Sequence, residues 1–182
     1  MEIEVAELFA AQRELGKAID KLSQILEEFK LTPNDPALIN AYDEVQSRRA
    51  YFLADLGKWQ NSMAILEELK DRGNDDPISL FHLGYCYLRA GKLDDSRGLL
   101  ERAVSIDPPP AIYVRAHCVL GKVLYFLGEF QKAKSEFEMV LGKAPAAYIR
   151  NAEIWKWLEH TSINLGLKDE AAKYRLLASA PS

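Results

Sequence analysis

The residues able to do chemistry are few and scattered. The chain has three histidines, His82, His117 and His160, and two cysteines, Cys86 and Cys118. Metal binding would need several of these at ligand spacing, and nucleophilic catalysis a thiol or hydroxyl beside a base. No Cys-x-x-Cys, His-Glu-x-x-His or Gly-x-x-x-x-Gly-Lys motif occurs. The acidic pairs Glu67-Glu68, Asp75-Asp76 and Asp94-Asp95 suit helix-dipole complementation or solubility better than proton transfer. His117 falls at a helix packing position, and the two cysteines read as buried thiols of a reducing cytosol. No cofactor and no metal is expected, and the protein is not expected to be an enzyme.

Composition narrows the partners. With 182 residues, of which 48% are hydrophobic, a buried core is affordable and disorder is not the default. The net charge of -4 and pI near 5.5 argue against nucleic acid, which needs a dominant basic surface. The acidic start Met1-Glu2-Ile3-Glu4 lacks the positive region and long apolar run of a signal peptide. No stretch approaches the ~20 apolar residues needed to span a bilayer. A cytoplasmic location is expected, without membrane insertion.

What remains is a repeat that must be built from helices. Leu83-Gly84, Gly91, Leu93, Ser96 and Pro108 recur at the same spacings as Leu120-Gly121, Gly128, Phe130, Ala133 and Pro145. The element Gly-x-large-x-x-small also starts at Gly57, and more weakly at Gly166, so these glycines lie 34, 37 and 38 residues apart. A glycine between helices can turn left-handed and reverse the chain. The small residues Ser62, Ser96, Ala133 and Ala171 allow close helix approach, and the prolines end units. Asp76-Pro77 reads as an N-cap followed by proline in the first turn, and Asp35-Pro36 likewise. At the N-terminus, Leu15-Gly16-Lys17 echoes Leu56-Gly57-Lys58. Taking Gly16 as the turn glycine puts Pro33 at a unit's end. One continuous helix is the competing reading, since Leu8, Leu15, Leu22 and Phe29 keep a seven-residue spacing.

The run Leu83-Gly84-x-x-Tyr87, Ser96, Leu100, Ala103 and Pro108, with its copy from Val114, closely resembles the tetratricopeptide repeat. Gln46, Arg49 and Glu159 depart from it, standing where apolar or small residues are the rule. The resemblance implies an all-α fold, a right-handed solenoid of antiparallel helix pairs with about five hairpins. It is read as one domain over 1–182, with units at 2–35, 43–76, 77–110, 114–147 and 152–182 and the first and last degenerate.

The resemblance also implies a function, a concave groove lined by first helices and binding another protein. Its inward positions fall on Arg48, Tyr51, Phe81, His82, Tyr85 and Arg89, then on Arg115, Cys118, Lys122 and Tyr125, and finally on Lys156, Trp157 and His160. Phe126 also falls there, with packing between units an equal alternative for it and for Tyr51. Aromatic and basic residues outnumber the acids Glu44, Asp55 and Glu153, so an acidic peptide or helix with apolar anchors is the expected ligand. The family's chaperone-tail clamp would need Lys, Asn and Arg residues at Ser47, Tyr51, His82, Arg115 and Val119, of which only Arg115 fits. An adaptor or scaffold is expected, with a dedicated chaperone for a secreted or membrane-inserting client as the alternative. Leu176 and Leu177 on the last helix leave homo-oligomerisation through the solenoid ends open.

Overall fold

The computed structural model describes residues 2–11, 13–29, 36–106, 108–143 and 152–179, and all regular structure among them is α-helical. They form two compact units, Met1–Ala90 and Gly91–Ser182. The first holds α1 (Glu2–Ala11), α2 (Leu15–Phe29), α3 (Pro36–Asp55), α4 (Trp59–Asp71) and α5 (Pro77–Arg89). The second holds α6 (Leu93–Ser105), α7 (Pro110–Phe126), α8 (Phe130–Lys143), α9 (Ala152–Asn164) and α10 (Lys168–Ser179). Within each unit every helix packs on the next, and alternate helices also meet, α3 with α5 and α7 with α9. That is the stacking of helical hairpins in a solenoid.

Local chemistry sets the helix ends. Asp76 caps α5 by accepting the Ser79 N–H at 3.0 Å, with Pro77 opening the helix. A cap of this kind stabilises by about 1 kcal/mol. At the end of α3, Gly57 has φ of 82°. Its N–H donates to the Ala54 carbonyl and that of Lys58 to the Leu53 carbonyl, the paired bonds that close a helix with a left-handed residue. Asp35, Pro33 and Pro145 lie outside the described residues.

The N-terminus is a helix pair, but its turn is not at Gly16. Arg13 is left-handed with φ of 62°, and the bonds Arg13 N–H to Ala10 and Glu14 N–H to Phe9 reproduce those around Gly57. Gly16 lies inside α2. Counting from Arg13, the small residue five positions on is Ala18, which is buried as Ser62 is. The glycine misled because Arg13 takes a conformation that usually selects glycine. The seven-residue stripe breaks at the same turn: Leu22 is buried among Ala6, Ile25, Leu26 and Val45, while Leu8 is exposed.

The small residues do bring helices close. Ser62 is fully buried on α4, and its hydroxyl donates to the Ala50 carbonyl of α3 at 2.8 Å. It also accepts the Cys86 thiol of α5 at 3.5 Å. One hydroxyl therefore ties three helices of the first unit together. Two of the departures from the repeat pattern are accommodated individually. The Gln46 amide donates to the Tyr42 hydroxyl at 2.8 Å. Glu159 of α9 receives Arg175 of α10 at 2.6 Å, so a carboxylate stands where a small residue is usual.

Candidate functional site

In the first unit, α3 and α5 carry Arg48, Tyr51, Phe81, His82, Tyr85 and Arg89. The Tyr51 hydroxyl lies 2.7 Å from Ser79 Oγ and donates to Asp76 Oδ2 at 3.1 Å. Its ring stacks on His82, with centroids 4.4 Å apart. Burial pushes the Tyr51 phenol far above its ordinary range, so it acts only as a neutral hydrogen-bonding group. Phe81 and His82 are 1% and 2% exposed, so packing takes up both side chains. The surface they support is formed by Tyr85 and Arg89. Trp59 joins them: it meets Tyr85 edge-on at 5.4 Å and holds the Arg89 guanidinium over its ring at 4.9 Å. Sequence reasoning read Trp59 only as a repeat position.

Arg48 is not a free cation. It pairs with Glu44 of its own helix at 2.9 Å and with Glu7 of α1. Beside it a cleft of about 700 Å³ opens between α1, α3 and the α4–α5 turn, within the usual size range of ligand sites.

In the second unit, α7 and α9 bring Lys122, Tyr125, Phe126, Trp157 and His160 together in one patch. Lys122 Nζ donates to Glu153 at 2.6 Å and lies 5.7 Å from the Trp157 ring centre. The lysine, as hydrogen-bond donor and positive charge, holds the Glu153 carboxyl below its ordinary range. Tyr125 meets Trp157 at 5.3 Å and Phe126 at 5.9 Å, and Phe126 meets Trp157 at 5.8 Å, all nearly edge-on. Phe126 remains 55% exposed. His160 flanks Trp157 at 6.2 Å, and Lys156 is exposed beside it on α9. Arg115 is half-buried on α7. The half-buried Cys118 has its thiol pushed up to about 11, chiefly by burial, so it is protonated near neutral pH.

Asn164 and Phe130, which the sequence did not single out, complete the patch. Asn164 donates to the Tyr125 hydroxyl at 3.0 Å, and Phe130 meets the Tyr125 ring at 5.3 Å. Their signal was weak because one is a surface amide and the other a repeat position. His117 is apart from this surface, buried and 2.6 Å from Glu136. Among the described residues no group of three or more His, Cys, Asp or Glu side chains is arranged to hold a metal ion. Among them, too, no helix is long and apolar enough to cross a membrane.

Stacked helical hairpins presenting aromatic and charged first-helix faces define a helical-repeat protein. Residues 47–110 match the family model described as Tetratricopeptide repeat. That stretch carries tetratricopeptide repeat sequence. The chain's fold is similar to that of MamA, with a TM-score of 0.71 over 96% of this chain and 92% of that one at 20% identity. It is also similar to YrrB, described as a TPR protein with an unusual peptide-binding site. There the TM-score is 0.69 over 97% of this chain and 82% of that one, at 17% identity. At such identities the likeness concerns the fold. No curated protein matches the chain in sequence.

Proposed function

We propose that this chain is a non-catalytic protein-interaction module, an adaptor or scaffold, whose first-helix surface holds an acidic, apolar-anchored peptide or helix of another protein. The observation that carries the reading is the second unit's patch. Exposed Phe126 stands against Tyr125 and Trp157, with Lys122 bonded to Glu153 beside the same indole and Lys156 exposed one residue away. Clustered aromatics with cations at their edge are the composition that dominates peptide and helix recognition. A ligand carboxylate arriving here would compete with Glu153 for Lys122. In the first unit, Tyr85 and Arg89 beside Trp59 extend the reading. Residues 1–182 are taken as one array of five hairpins, and the peptide-binding description of YrrB supports the general role.

The test is affinity capture from native extract, with the wild-type chain beside the Tyr85→Ala, Lys122→Glu double variant. A protein retained by the first and lost by the second is expected. Equal retention would move the binding surface away from these helices. A captured protein that turns insoluble when this chain is depleted would make the module a chaperone; one that stays soluble keeps it an adaptor. Self-association belongs to the same proposal, because Leu176 of α10 is 72% exposed. A sedimentation mass that stays monomeric over a hundredfold concentration range would remove it.

A further inference from the structure

The first unit's cleft carries the opposite charge to the second unit's patch. Four carboxylates line it, Glu7, Asp43, Glu44 and Asp76, against two guanidiniums, Arg48 and Arg72. Both arginines are committed: Arg48 to Glu7 and Glu44, and Arg72 to Asp43 at 2.9 Å, with Glu68 at 3.7 Å. Burial and the neighbouring Glu68 charge raise the Asp43 carboxyl above its ordinary range in spite of Arg72. The cleft lining therefore holds two more carboxylates than guanidiniums.

Its apolar lining is equally specific. Ala10, Phe52 and Ile78 stand among the charged groups, so the cleft offers hydrocarbon walls beside carboxylates. A small inorganic cation has no use for such walls. A lysine or arginine side chain does, because its aliphatic stem seeks apolar contact while its head seeks carboxylates. Arginine fits best, since its planar fork pairs with carboxylates bidentately and stacks on rings such as Phe52.

We propose that this cleft is a second binding site, taking a basic side chain, arginine above lysine, from a partner segment. The head meets Glu44 and Glu7, and the stem lies along Phe52 and Ile78. The site is independent of the acidic-ligand reading of the second unit: a partner bound at both would need an arginine-bearing stretch as well as an acidic one.

The probe is the capped dipeptide acetyl-arginyl-leucine amide, titrated into the isotope-labelled full chain at physiological salt and followed by amide shifts. Saturable shifts are expected at Asn40, Ser47, Tyr51 and Asn74. The citrulline analogue keeps the shape and loses the charge, and is expected to bind about tenfold more weakly, the scale of one charged hydrogen bond. The Glu7→Gln, Glu44→Gln variant should lose the arginine probe to a similar degree. Both side chains are about half exposed, at 48% and 55%, so the fold should survive, as unchanged second-unit amides would show. Equal binding of the citrulline analogue, no saturable shift at these amides, or an unaffected variant would each overturn the proposal. Failure of the acidic-ligand reading would appear separately, at second-unit amides titrated with an acidic peptide.

Discussion

The ring of Phe137 on α8 lies so close over Gly121 on α7 that a Cβ at Gly121 would sit 2.6 Å from its Cε1. The helices of this hairpin approach at a point where only hydrogen fits, and Phe137, fully buried, fills the space. Gly121→Ala is expected to cost about 1–2 kcal/mol, because overpacking outweighs the ~1 kcal/mol that alanine gains in a helix. Urea unfolding measures it. In a Phe137→Leu background the same substitution should cost less, since contacting residues couple. An equal cost in both backgrounds would mean that the ring is not the cause.

Two glycines should respond in opposite directions. Gly128 has φ of 78°, so Gly128→Ala forces a left-handed alanine and should destabilise by about 1 kcal/mol. Gly16 is helical and a Cβ there meets nothing within 4 Å, so Gly16→Ala should stabilise by about 0.5–1 kcal/mol. Thermal melts of the two variants decide. A loss of stability in the second would return the N-terminal turn to Gly16.

The thiols should be slow to alkylate at neutral pH. Burial holds Cys118 at about 11, with Lys122 lowering it and Glu153 raising it, and the Cys86 thiol is also raised by burial. Reaction needs the thiolate. Iodoacetamide labelling of Cys118, followed by peptide mass mapping, should accelerate about tenfold per pH unit until it levels near the thiol's pKa. Lys122→Met should slow it further at any pH below that. Rapid labelling of the wild type at pH 7 would contradict the burial.

Acid should weaken the second unit through Glu153. The Lys122 hydrogen bond holds this carboxyl below its ordinary value in the folded state. Its contribution to stability is therefore present above the unfolded-state pKa and is lost as pH falls through the lower folded value. Carbonyl chemical shifts followed against pH should give Glu153 a midpoint below that of an ordinary glutamate, moving upward in Lys122→Met. The same midpoint in both proteins would show that the ion pair is not populated in solution.

Much of the fold was legible in the sequence because it is local. Glycine at 57, 91, 128 and 166, small residues five positions on, and proline opening α3 and α5 each act within a few residues of backbone. The N-terminal register was not legible. Arg13 holds a left-handed turn although its side chain disfavours it, and the packing of Ala18 and Leu22 in the first-unit core accompanies that choice. A propensity rule therefore pointed three residues too late.

The sequence by itself determined the class of fold and the residue types available to the first-helix faces, because repeat spacing and turn chemistry are near-neighbour properties. Only the tertiary structure decided which of those residues meet one another and which stay open. Arg48 reads as a groove cation until Glu7, 41 positions earlier, pairs with it. His82 reads as a contact residue until Tyr51 stacks over it. Charge and burial are properties of neighbours in space, and helix stacking chooses those neighbours across tens of residues. That is why aromatic side chains gather around the Lys122–Glu153 pair in the second unit, while the first unit's cleft carries an excess of carboxylates.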